Sequence, residues 1–145
     1  NIDFQTVEHI YPHNARKNCW RLPFSTYTPK EKSTLRHSLG NLLPLSRAKN
    51  SSFQNKCFLD KVSNKDNTIG FRFGCYSENE ITENMEWTAI QILERGIRLL
   101  GFMEKRWGIV IGDTNAKIRF LGLGFVLKKE GIRIAGLDPA QITYK

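Results

Sequence analysis

The sequence predicts an α+β fold on three observations: two short apolar runs of strand length near the start, a helix-spaced segment after them, and one long apolar stripe recurring at intervals of three and four. Thr6–Ile10 reads as a short strand, with Pro12 marking where regular pairing ends. Residues 14–38 read as a polar loop punctuated by Pro23, Pro29 and Ser/Thr residues. Asn41–Leu45 suggests a second strand. In Ser51–Val62, Phe53, Cys57 and Phe58 fall at helical spacing after a Ser pair able to cap the N-terminus. Residues 63–79 are turn-rich, with Phe71 and Phe73 alternating as in a short strand. From Thr82 to Trp107, the residues Trp87, Ile90, Leu93, Ile97, Leu100, Met103 and Trp107 form a helical stripe whose ordinary role is core packing, weakened or bent at Gly96 and Gly101. Short apolar segments separated by glycines make residues 108–145 read as a small β-rich appendage.

At 145 residues and 40% hydrophobic content, the chain fits one domain able to bury a core. No apolar run approaches the roughly 20 residues of a membrane span, and the start lacks the build of a signal peptide, so no membrane partner and a cytoplasmic location are expected. Because residue 1 is Asn rather than Met, the chain reads as a piece of a longer protein. Cys19, Cys57 and Cys75 are odd in number and form no C-x-x-C pair; the expectation is reduced, partly buried thiols.

The formal net charge of +8 is unevenly placed. Residues 1–65 carry eleven Lys/Arg against four Asp/Glu, and residues 66–145 carry eleven against ten. A basic N-terminal half suggests a polyanion partner, nucleic acid before an anionic membrane, since no basic amphipathic helix stands out.

Two segments carry chemistry: Val7-Glu8-His9-Ile10-Tyr11-Pro12 and Gly40-Asn41-Leu42-Leu43-Pro44-Leu45, the latter reaching a second Asn at Asn50. Taken singly, His9 reads as a hydrogen-bonded or surface histidine, Asn50 as a helix cap and Glu8 as a solvated carboxylate. Their weight lies in the combination. An acidic residue, His-Ile-x-Pro, Asn-Leu-x-x-Leu and a later Asn, in this order and before a helix, resemble the ββα-metal core of HNH endonucleases. Glu-His-Ile-x-Pro, His37-Ser38-Leu39-Gly40-Asn41-Leu42, Asn50 followed by Asn55-Lys56-x-Phe58, and Trp87 with Ile92-Leu93-Glu94-Arg95 resemble one branch more closely. That branch is the C-terminal nuclease domain of GmrSD-type modification-dependent restriction enzymes, and the resemblance spans about residues 5–107.

The resemblance implies a ββα-metal core in residues 1–62, a supporting helical segment in 63–107, and an unmatched appendage in 108–145. It implies a DNA endonuclease of bacterial defence acting on foreign or modified duplex DNA, with a regulatory nucleotide-binding domain elsewhere in the full-length protein. His9 would be the general base. Glu8 and Asn50 would hold one Mg²⁺ or Mn²⁺, and Asn41 would tie the second strand to the His9 strand. Ser46 and Lys49 stand where many HNH domains carry zinc-binding cysteines, so no structural zinc is expected.

Elementary chemistry supports these residue types. Phosphodiester hydrolysis needs a deprotonated water, neutralised charge on phosphorus and a stabilised leaving oxygen. Neutral imidazole suits the first task near neutral pH, and carboxylate and amide oxygens suit a hard divalent ion. Successive strand residues point to opposite faces, so a bulge or bend is expected at Glu8-His9. Arg47, Lys49, Lys56, Lys61 and His37 are candidate phosphate contacts, against the ordinary reading of a solvated face or loop. Two other functions fit the same residues: a non-catalytic nucleic-acid-binding module, and a ribonuclease or toxin using the site on RNA.

Overall fold

The computed structural model describes residues 6–45, 49, 53–63, 70 and 80–131. They combine helices with a small antiparallel sheet, an α+β composition. The chain divides into two compact units, Asn1–Ser25 with Leu42–Thr88, and Thr26–Asn41 with Ala89–Lys145.

In the first unit, β1 (Thr6–His9) pairs antiparallel with β2 (Leu42–Leu45), in register from Thr6 opposite Leu45 to His9 opposite Leu42. Pairing ends at His9, three residues before Pro12; of the bulge or bend expected at Glu8-His9 the chain shows the bend, at Ile10 and Tyr11 just after the strand stops. Among the described residues the sheet has only β1 and β2, so each is an edge that tolerates Pro44, which lacks an N–H. Tyr11, Phe24 and Trp20 form an aromatic nucleus beside the strand end, with Tyr11 stacked on Phe24 at 3.9 Å between centroids. Helix α1 (Asn18–Arg21) breaks the polar loop expected over 14–38; it buries Trp20, whose indole donates to the Lys56 carbonyl at 3.0 Å.

Cys19 and Cys57 form a disulfide across 38 residues, which corrects the expectation of reduced thiols. Sequence spacing carried no sign of it, since the pair comes together only through the folding of α1 onto the segment before α3 (Phe58–Val62). In the helix expected over Ser51–Val62, Phe53 and Phe58–Val62 are helical and residues 54–57 are not. Gln54, at φ +42°, occupies a left-handed turn that interrupts it, and Ser51 and Ser52 lie outside the described residues. Phe58 stacks on Trp87 at 5.4 Å, closing this core.

The second unit holds α2 (Pro29–His37), α4 (Ala89–Trp107), α5 (Thr114–Leu121) and α6 (Gly124–Glu130). Helix α2 is the second correction to the loop reading: Thr28 accepts from the Glu31 N–H and Glu31 reaches back to the Thr28 N–H, a capping box with Pro29 in the first turn. The long stripe forms α4, but from Ala89 rather than Thr82, because the Asn84 amide bonds the Ile81 carbonyl and holds a turn there.

The 3-10 turn Leu39–Asn41 lies against α4 so closely that a Cβ on Gly40 would come within 1.9 Å of the Ile92 carbonyl oxygen. Only glycine fits there, and Arg95 fastens the contact by donating to the Gly40 carbonyl at 3.0 Å.

Thr114–Leu121 and Gly124–Glu130 are helices, not parts of the β-rich appendage expected; residues 132–145 lie outside the described set. The glycines taken as strand separators are helix stops, Gly122 and Gly131 both being left-handed C-caps, and Asp113 caps the start of α5. Glu104 accepts from the Ile111 and Gly112 N–H groups and pairs with Lys117 at 2.6 Å, which holds its carboxyl down at about 2. No described helix is long and apolar enough to cross a membrane.

Candidate active site

The site is built on the end of β1. Strand alternation leaves Val7 exposed and turns Glu8 inward to 2% exposure, while His9, half-buried, is the last paired residue. Beyond it the chain bends at Ile10 and Tyr11, both anchored in the core, and Pro12 begins a turn carrying His13 and Asn14. Gln54 and Asn55, from the turn before α3, close the opposite wall of a cavity of about 520 Å³ that Glu8, His9, His13 and Asn14 also line. Ending the strand at His9 is what lets neighbours with opposed strand faces both border one cavity.

Beneath the cavity lies Lys61. It is fully buried, and its ammonium donates to the carbonyls of Ile10 at 3.0 Å and His9 at 3.3 Å and to Glu8 Oε1 at 3.5 Å. The expectation that Lys61 contacts phosphate is therefore corrected: its donors serve the site from within. Phe58, Lys61 and Val62 share the buried face of α3 at spacings of three and four, a signal in the sequence that the positive charge obscured.

Burial pushes the Glu8 carboxyl up to about 7, although Lys61 and the His9 backbone pull it down. Burial likewise lowers the Lys61 ammonium, with Glu8 opposing. Glu8 Oε2 has no hydrogen-bond partner among the described residues, an expensive state for a buried carboxylate oxygen. The donors present fit a divalent cation: an unpartnered hard oxygen on Glu8, with imidazole and amide groups lining the same cavity.

His13 packs beside His9, with ring centroids 4.1 Å apart and planes tilted by 58°. His13, Gln54 and Asn55 were not singled out as site residues. Only the Pro12 turn, which brings His13 back beside His9, hinted at the first. The left-handed turn that presents Gln54 leaves no mark in residue type, since Gln is uncommon there.

The other candidates fall as follows. Asn41 is completely buried in the second unit, its amide donating to the Arg36 carbonyl at 2.8 Å. His37 ends α2 in that unit and is exposed. Lys49 and Lys56 are partly exposed, and Lys56 lies one residue before the disulfide. Asn50 and Arg47 lie outside the described residues.

The profile of the family described as GmrSD restriction endonucleases, C-terminal domain, matches residues 1–102. No curated protein and no solved structure matches the chain.

Proposed function

The chain belongs to the family of GmrSD restriction endonuclease C-terminal domains, and on that premise we propose that it is a metal-dependent DNA endonuclease of the HNH type, serving restriction of foreign DNA. One observation carries this reading: His9 ends its strand on a cavity that is also lined by a buried carboxylate with an unpartnered oxygen.

In the proposed reaction His9 accepts a proton from water, the water oxygen bonds to phosphorus, and the P–O3′ bond breaks in line. The electron pair leaves on O3′, which takes up a proton, giving 5′-phosphate and 3′-hydroxyl ends. Glu8, with Asn50 as second ligand, would hold one Mg²⁺ or Mn²⁺, which would supply charge neutralisation for the phosphate and leaving oxygen. Lys61 holds Glu8 and the His9 backbone in register. Asn41, in this reading, orders the chain entering β2. Arg47, Lys49, Lys56 and His37 are proposed to meet the phosphate backbone.

Supercoiled plasmid incubated with the purified chain tests the proposal. Nicked or linear product that requires Mg²⁺ or Mn²⁺ supports it, and binding without cleavage in every divalent ion would make the chain a binding module. Cleavage of RNA alone would make it a ribonuclease.

A further inference from the structure

We propose that the Cys19–Cys57 bridge is a thiol–disulfide exchange site, opened by a dithiol reductant, through which the redox state of the chain sets the wall of the cavity at the end of β1. The inference rests on the nuclease reading only for its effect on DNA cleavage.

Cys19 is exposed on α1 and Cys57 is half-buried, so an incoming thiolate meets the Cys19 sulfur. Both residues line an apolar recess of about 210 Å³ together with Pro23, Leu59, Met85 and Trp87. Leu59 and Met85 are 59% and 82% exposed, which leaves the recess open to solvent beside the bridge. Arg16, Lys17 and Arg21, close to Cys19 in the chain, are exposed as well, and positive surroundings favour the thiolate form. Exposed bridges are the ones a reductant reaches.

A thiolate of the dithiol attacks Cys19 Sγ, the S–S bond breaks, and its electron pair leaves on Cys57 Sγ, which takes up a proton. The second thiol of the reductant then attacks the mixed disulfide, and Cys19 departs as a thiol. The chain gains two electrons and two protons, and the dithiol is oxidised to a disulfide.

The bridge bears on the cavity because Cys57 follows the turn that supplies Gln54 and Asn55 to the cavity wall. That turn is closed by the Lys56 N–H donating to the Phe53 carbonyl at 2.9 Å, and it holds Gln54 at φ +42°. Such a backbone is costly for a residue with a side chain and persists only where its surroundings impose it. Here α1 imposes it, through the Trp20 indole donating to the Lys56 carbonyl at 3.0 Å and the Asn55 carbonyl at 3.3 Å, and through the bridge. Reduction removes the covalent tie, and Gln54 and Asn55 relax from the wall. Lys61, one helical turn beyond Cys57, keeps its bonds to the His9 and Ile10 carbonyls, so the end of β1 stays in place. The reduced chain therefore retains its base and loses grip on DNA, which raises KM and leaves kcat nearly unchanged.

The test uses the chain carrying Cys75→Ser, in which only the bridging pair can exchange. Millimolar dithiothreitol opens the bridge with circular dichroism unchanged. Amide hydrogen exchange quickens over residues 53–57 and not over 6–9, and KM for plasmid nicking in Mg²⁺ rises severalfold. Oxidised glutathione reverses these changes, and further substitution of Cys19→Ser with Cys57→Ser gives the reduced behaviour with no response to either reagent. A bridge that opens only as the circular dichroism is lost, or equal exchange over 53–57 in the two states, overturns the proposal; so does an equal KM. If exchange changes as described and neither state nicks DNA, the bridge still governs the wall and the nuclease reading falls.

Discussion

The ammonium of Lys61 lies 3.5 Å from Glu8 Oε1, with side-chain exposures of 0% and 3%. A pair so enclosed is costly to break from one side: without Lys61 the buried Glu8 carboxyl and the His9 and Ile10 carbonyls lose a donor and a cavity is left. Lys61→Ala is expected to destabilise the fold by about 3–5 kcal/mol. Lys61→Met, which fills the space, is expected to cost less when combined with Glu8→Gln than alone. Urea denaturation of the four chains measures the coupling, and additive losses would contradict it.

Stability should also depend on pH through Glu8. Its folded pKa, about 7, is raised above the ordinary 4.5, so between these values the folded state holds a proton that the unfolded chain has released. This contribution is fully present below about 4.5 and is lost as pH rises through about 7. In EDTA, denaturation midpoints should fall across that window, and Glu8→Gln should flatten the fall. A wild-type profile as flat as that of the variant would show that Glu8 is not held in its neutral form.

The disulfide closes a loop of 38 residues. Constraining the unfolded chain over that length is worth about 3–4 kcal/mol. Cys19→Ser with Cys57→Ser should lose that amount in chemical denaturation, and dithiothreitol should reproduce the loss in the unsubstituted chain. Equal stability with and without reductant would remove the cross-link from the account.

Phosphate contact by partly exposed Lys49 and Lys56 predicts a steep salt dependence of DNA binding. Neutralising both should flatten the log–log salt slope by about 2 units, since each phosphate neutralised contributes about 0.9. Removing Lys128 and Lys129, which takes away the same charge from α6, should do less. Fluorescence anisotropy over a salt series compares them, and equal changes would mean that net charge alone governs binding.

Local signals were legible where one element answers to its own residues. The two short strands and the long helix α4 follow from apolar periodicity, although the buried face of α4 runs through Ile92, Leu93 and Leu100 and leaves Trp107 exposed; the motif pointed to Glu8 and His9, which the structure brings to one cavity. What escaped depends on partners distant in sequence. Lys61 reads as a surface cation until Glu8 and two carbonyls surround it, and Cys19 has no local reason to meet Cys57. The glycines after residue 121 misled for another cause: the same residue type separates strands and ends helices, and only the left-handed φ at Gly122 and Gly131 distinguishes the uses. The Thr28-Pro29-Lys30-Glu31 box, by contrast, was a readable helix start that the prolines disguised as a loop.

The most direct test of His9 as the base is plasmid nicking by the unsubstituted chain and by His9→Ala, in Mg²⁺ and in EDTA, with DNA affinity measured beside it. Nicking should need the metal and fall by about 10² to 10⁴ in the variant, while affinity stays within a few-fold. His9→Ala that nicks at the unsubstituted rate would contradict the assignment.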